Sequence, residues 1–154
     1  MASPFLFHPL AVHLALSLGL LSAVVEALPS IKRRIPPWTQ NKALELTLLF
    51  LFLALLTGIL SFSTIKAQHI PVPLMASIHG GIALSGGVLF LLLWILTERG
   101  GERHPGTFPS RQLIAGAGLL ALLVAATLGG QLVYKDRLGT SRMTDPPSLA
   151  PSPR

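Results

Sequence analysis

Four apolar stretches, each long enough to cross a bilayer, take up most of this 154-residue chain. They run roughly Pro9–Leu28, Ala43–Thr64, Leu74–Thr97 and Gln112–Val133. At about 1.5 Å rise per residue, ~20 helical residues cover the ~30 Å hydrocarbon layer. The expected fold is an all-α, integral membrane four-helix bundle of up-down-up-down order spanning residues 1–139. The remaining residues, 140–154, form a Pro- and Ser-rich tail too poor in apolar side chains to fold alone, so it is either disordered or ordered by a partner.

Composition removes most other classes. Apolar residues make up 51% of the chain and charged ones 12%, a membrane profile that leaves no segment for a soluble catalytic domain. The absence of cysteine excludes disulfides, iron–sulfur clusters, thiolate zinc and haem attached through Cys-x-x-Cys-His. No nucleophile–base pair, phosphate loop or HExxH sequence is present, so hydrolytic and phosphoryl-transfer chemistry lack their parts. The net charge of +6 sits at the span ends, at Lys32, Arg33, Arg34, Lys42, Arg99, Arg103, Arg111, Lys135 and Arg137. Those positions form no continuous stripe, which argues against nucleic acid and for attraction to the lipid surface.

The first span has no basic residue before it and exceeds the usual apolar run of a signal peptide, so a retained helix is expected. Basic residues weigh towards the first and third loops, with Lys66 and the tail on the other side. By the positive-inside rule both termini and the second loop are expected outside, in the periplasm of a bacterial inner-membrane protein. Prolines mark the boundaries. Pro9 suits the first turn of a helix, Pro29 closes the first span, Pro71 and Pro73 precede the third, and Pro105 and Pro109 sit in the third loop. Each span carries small or polar residues at seven-residue spacing: His8, Ala15, Ser22; Thr47, Ala54, Ser61; Ala76, Ala83; Gly118, Ala125. Such stripes let membrane helices approach closely and favour left-handed packing. Trp38 and Trp94 are placed in the inner aromatic belt and Tyr134 in the outer one, while Glu26 and Glu45 are expected to neutralise Lys32, Arg33 or Lys42.

Histidine within a span is costly unless it serves something, which draws attention to His8, His13 and His79. They lie at one end of the array, together with Ser61, Ser63, Thr64, Gly129, Gly130, Gln131 and Tyr134. With helices starting near Pro9 and Leu74, His13 and His79 lie at equal depth, about one turn below the surface. Two neutral imidazoles at one level are what a bis-histidine b-type haem requires, and Gly80, Gly81, Gly86 and Gly87 offer room for a macrocycle. His8 and His13 are about 140° apart around a regular helix. If the first helix reaches back past Pro9, His8 lies on the small stripe and His13 faces away; if not, His8 is an N-cap. Spacing leaves both open. His8, His69 and His79 are an alternative non-haem metal set, whereas His104 lies at the opposite side. A histidine bonded to a loop carbonyl or seated at the headgroups is the bland alternative for each.

The opening His8-Pro9-Leu10-Ala11-Val12-His13, His79 at the start of the third span, and the closing Gly129-Gly130-Gln131-Leu132-Val133-Tyr134 resemble the bacterial membrane proteins grouped as domain of unknown function 2231. The resemblance extends to about Gly139. Beyond Tyr134, Lys135-Asp136-Arg137-Leu138-Gly139-Thr140 replaces the family's usual Gly-x-Gly-Val ending. It implies a four-helix inner-membrane protein and little about chemistry.

The functional expectation is a small membrane subunit that binds haem b and passes electrons between a periplasmic partner and the quinone pool or another membrane protein. His13 and His79 are its axial ligands and His8 the substitute for His13; Gly129 and Gly130 admit the macrocycle, and Tyr134 contacts a propionate or headgroup. The alternatives are a non-catalytic accessory subunit of a larger membrane complex, and a metal-handling or transport protein. Four helices without inverted repeats or broken half-helices offer the last little machinery.

Overall fold

The computed structural model describes residues 4–67, 69, 72–99 and 108–134. The expected tail, His104 and the prolines 71 and 105 fall outside the described residues. Among the described residues, five helices follow in order: α1 Pro4–Ala27, the short α2 Pro29–Lys32, α3 Pro37–Ala67, α4 Leu74–Arg99 and α5 Phe108–Tyr134. All but α2 are long and apolar enough to cross a membrane. They form the expected all-α four-helix bundle, and the chain is a multi-pass membrane protein whose outer faces meet lipid. Large apolar side chains such as Phe52, Leu113 and Leu120 are exposed there, which is the solvent preference of a bilayer-facing surface.

Helix α1 packs on α3 and α5, and α4 packs on the same two, so α1 and α4 stand on one diagonal of the bundle. Consecutive long helices run antiparallel, giving two hairpins, α1/α3 and α4/α5. Small residues decide how closely they approach. Phe90 of α4 is fully buried at the centre, and a Cβ on Gly19 or Gly118 would come within 3.3 and 3.2 Å of its ring. Leu122 fits against Gly86 more tightly still, since a Cβ there would sit 2.8 Å from Leu122 Cδ2.

One boundary differs from expectation in a way that matters. Helix α1 starts at Pro4, so Pro9 lies inside it. Pro4 suits a first turn, and Pro9 is near enough to the start that its missing N–H removes a single early rung of the ladder. His8 is therefore a helical residue on the stripe with Ala15 and Ser22.

The end of the bundle remote from His8 is closed by ions. Glu26 is buried, and its carboxylate accepts from Lys32 Nζ at 2.7 and 2.8 Å and from Arg111 Nη2 at 3.1 Å. Arg111 also donates to Thr97 Oγ1 at 2.7 Å, while Gln112 donates to the Glu26 carbonyl at 3.3 Å. Glu45 pairs with Lys42 instead. Of the two expected belt tryptophans, Trp38 is exposed, whereas Trp94 packs against the core cluster that includes Ala23, Leu44, Phe90 and Leu93. Gln40 ties the first loop down by donating to the carbonyls of Lys32 and Ile35 at 2.9 and 2.7 Å.

Candidate cofactor site

At the other end, two histidines on diagonal helices face one cavity. His8 of α1 crosses to α3, where its Nδ1 is 3.0 Å from the Ala54 carbonyl oxygen and 3.1 Å from Thr57 Oγ1. His79 of α4 crosses to α5, where its Nδ1 is 2.8 Å from the Ala125 carbonyl oxygen. A carbonyl only accepts, so Nδ1 carries the proton in both rings. The Thr57 hydroxyl donates to the Leu53 carbonyl at 2.8 Å, which leaves its oxygen to accept from His8. Nε2 of neither ring has a hydrogen-bond partner among the described residues. In the neutral imidazole that nitrogen is the lone-pair atom.

The two arrangements repeat each other. In both, histidine and carbonyl are 46 residues apart in sequence. In both, the carbonyl belongs to the first residue of an Ala-x-x-x-Gly segment, Ala54–Gly58 and Ala125–Gly129. In both, that glycine backs the ring: a Cβ on Gly58 would lie 3.2 Å from His8 Cε1, and one on Gly129 would lie 3.0 Å from His79 Cε1. A constant shift along the chain carries His8, Ala54 and Gly58 onto His79, Ala125 and Gly129. The two hairpins are thus a tandem pair that presents one imidazole each, and this pairing was readable from the recurring Ala-x-x-x-Gly behind each histidine.

The cavity between the rings has a volume of about 870 Å³ and is lined by all four long helices. That volume falls within the roughly 300–1,000 Å³ typical of small-molecule and cofactor sites. Its walls are almost wholly apolar, with Ala15, Leu16, Leu51, Ala83, Leu122 and Ala126 among them. Gly80, Gly81 and Gly87 line it as well, and a Cβ on any of them would meet no atom within 4 Å. Exposed lining residues include Phe52, Leu55 and Ile59 of α3 and Leu84, Val88 and Leu91 of α4, so the cavity has an apolar rim on that side.

The structure brings together some of the expected site residues and separates others. His79, His8 and Gly129 line the cavity. His13 does not; it is exposed, and its Nδ1–H donates to the Pro9 carbonyl of its own helix at 2.6 Å. The expected pairing of His13 with His79 is therefore replaced by His8 with His79, because α1 begins early enough to turn His8 inward and His13 out. Gly130 lies off the cavity with open space beside it. Tyr134 is 87% exposed and also lies outside the lining. His69 sits in a turn at φ 55 with its side chain exposed. Among the described residues no three His, Asp or Glu side chains gather, so the alternative set of His8, His69 and His79 does not form a metal site.

No curated protein and no solved structure matches this chain. A family model does match: residues 4–142, covering every described element, fit the predicted membrane proteins of the domain of unknown function 2231, and the chain belongs to that family.

Proposed function

We propose that this protein is a membrane electron carrier that would hold b-type haem between its two hairpins, with His8 and His79 as the residues that would bind its iron. The observation that carries the reading is the state of the two rings. Each is fixed by an Nδ1–H bond to a backbone carbonyl of the neighbouring helix, which leaves Nε2 of a cavity-lining residue without a protein partner and, in the neutral ring, able to offer its lone pair. Metal-bound histidines nearly always donate their other ring nitrogen in this way, which orients the imidazole and raises its basicity. Helix bundles build cofactor sites from side chains on facing helices, and α1 and α4 face each other across this one. The donor set fits the group: two imidazole nitrogens, an apolar chamber and glycine surfaces without side chains.

When bound, such a haem supplies one-electron transfer. This chain's own part is to hold both imidazoles in orientation and to surround them with apolar walls that exclude water. Gly58 and Gly129 contribute by leaving room for the rings. The basic residues concentrated at Lys32, Arg33, Arg34 and Lys42 support a bacterial inner-membrane orientation with the His8 end towards the periplasm, where a donor or acceptor protein would meet it. Quinone in the lipid phase would be the partner on the membrane side, adjacent to the apolar α3/α4 rim.

The test is the spectrum of the full chain purified from haem-replete cells. A reduced form with the sharp bands of a low-spin, bis-histidine b cytochrome is expected. His8→Ala and His79→Ala should each abolish it, while His13→Ala should leave it unchanged. A colourless wild-type protein, or a spectrum that survives His8→Ala but not His13→Ala, overturns the assignment.

A further inference from the structure

We infer that the cavity is polarised along α3, and that Ser61 and Lys66 hold the carboxylate edge of its occupant; the inference rests on the haem reading above. Gly58, Ser61, Phe62 and Ile65 all line the cavity and form one face of α3, at the i, i+3, i+4, i+7 spacing. Going from Gly58, which backs His8, towards the helix end, the first polar group on this face is Ser61. Its Oγ is buried without a hydrogen-bond partner. A buried hydroxyl left unpaired is destabilising, and in a cavity wall it marks where a ligand oxygen belongs. One turn past Phe62, Lys66 extends over the Phe62 ring with Nζ 5.7 Å from its centroid. Lys66 forms no ion pair with a carboxylate among the described residues.

The lining contains no acidic residue, so nothing in the wall competes for that ammonium. The combination describes an amphipathic ligand: an apolar, planar body between His8 and His79, with acid groups at the end of α3. A haem bearing two propionates matches that chemistry, and it assigns the contact expected of Tyr134 to Ser61 in the cavity wall and to Lys66, exposed just past the lining. Lys66 as a flexible point charge and Ser61 as a neutral donor would divide the work, one neutralising and one orienting.

The discriminating probes are haem b and its dimethyl ester, in which both carboxylates are capped, each titrated into the haem-free full chain in detergent and followed by Soret absorbance. Wild type should bind haem b about tenfold more tightly than the diester, a difference of one charge-assisted contact. The Ser61→Ala/Lys66→Gln double variant should lose that preference by weakening haem b alone, and Lys66→Arg should keep it. Equal binding of the two porphyrins by wild type, or a preference that persists in the double variant, overturns the inference while leaving bis-histidine ligation intact. Failure of either porphyrin to give a bis-histidine spectrum overturns the haem reading and this inference with it.

Discussion

The glycines behind the histidine rings are where single atoms carry the most consequence. At Gly129 an added Cβ would lie 3.0 Å from Cε1 of His79, so the ring must shift or turn. Gly130, its neighbour in sequence, has open space beside it. On the proposed haem reading, Gly129→Ala is therefore expected to weaken haem retention by about 1–3 kcal/mol, the usual cost of overpacking, whereas Gly130→Ala should be near silent; competitive haem transfer to an apo-globin measures both. Gly58→Ala should act on His8 more mildly, since the contact there is 3.2 Å. The sequence carried part of this site openly. His8 shares a seven-residue stripe with Ala15 and Ser22, and His79 stands beside Ala76 and Ala83, so the inward faces were legible from small residues alone. Pro9 obscured the choice between His8 and His13, because a proline there reads equally well as a helix start or as an early interior residue. The carbonyl partners Ala54 and Ala125 were hidden for a different reason: a backbone acceptor leaves no mark of its own, and only the repeat of Ala-x-x-x-Gly discloses it.

Each long helix is apolar around most of its circumference, so polar residues rather than amphipathic phase set how the helices rotate. Among the few that do so, Glu26 ties the end of α1 to Lys32 and to Arg111 of α5. Its side chain is 4% exposed, and those of Lys32 and Arg111 are 17% and 15% exposed, so the three charges depend on one another. Glu26→Ala removes the carboxylate that two partly buried cations share and is expected to destabilise the protein by about 3–5 kcal/mol, the range for breaking a buried pair from one side. Glu26→Gln keeps hydrogen-bonding oxygen and shape and should cost less. Thermal unfolding in detergent, followed by circular dichroism, gives both numbers. Because this cluster lies at the opposite end from the histidines, any haem spectrum proposed above for wild type should be retained by the folded Glu26→Gln protein. The sequence offers Lys32 as one of three basic candidates for Glu26, because it follows the same span by a few residues, and the structure pairs the two. Its second partner, Arg111, leaves no signal in the sequence, because no local pattern links residues that far apart.

The whole molecule is two hairpins that meet across Phe90 at the centre and across the cavity at one end. Phe90 belongs to the second hairpin and fits between Gly19 of the first and Gly118 of its own. The histidines divide the same way, His8 from the first hairpin and His79 from the second. A ligand held by both nitrogens would therefore cross-link the hairpins at a place where the wide apolar cavity otherwise leaves little direct packing. Phe90→Ala should destabilise the haem-free protein by about 3–5 kcal/mol, as expected for truncating a fully buried aromatic. Haem should raise the unfolding temperature of wild type and of Phe90→Ala alike, because a ligand bound only by the folded state stabilises it by mass action. In His8→Ala and His79→Ala that gain should shrink by similar amounts, since each removes one end of the same bridge. Unfolding temperatures of the four proteins with and without added haem test the point. A haem-dependent rise that survives loss of one histidine but not the other would show that the ligand is held by a single hairpin, and the tandem arrangement would then serve packing alone.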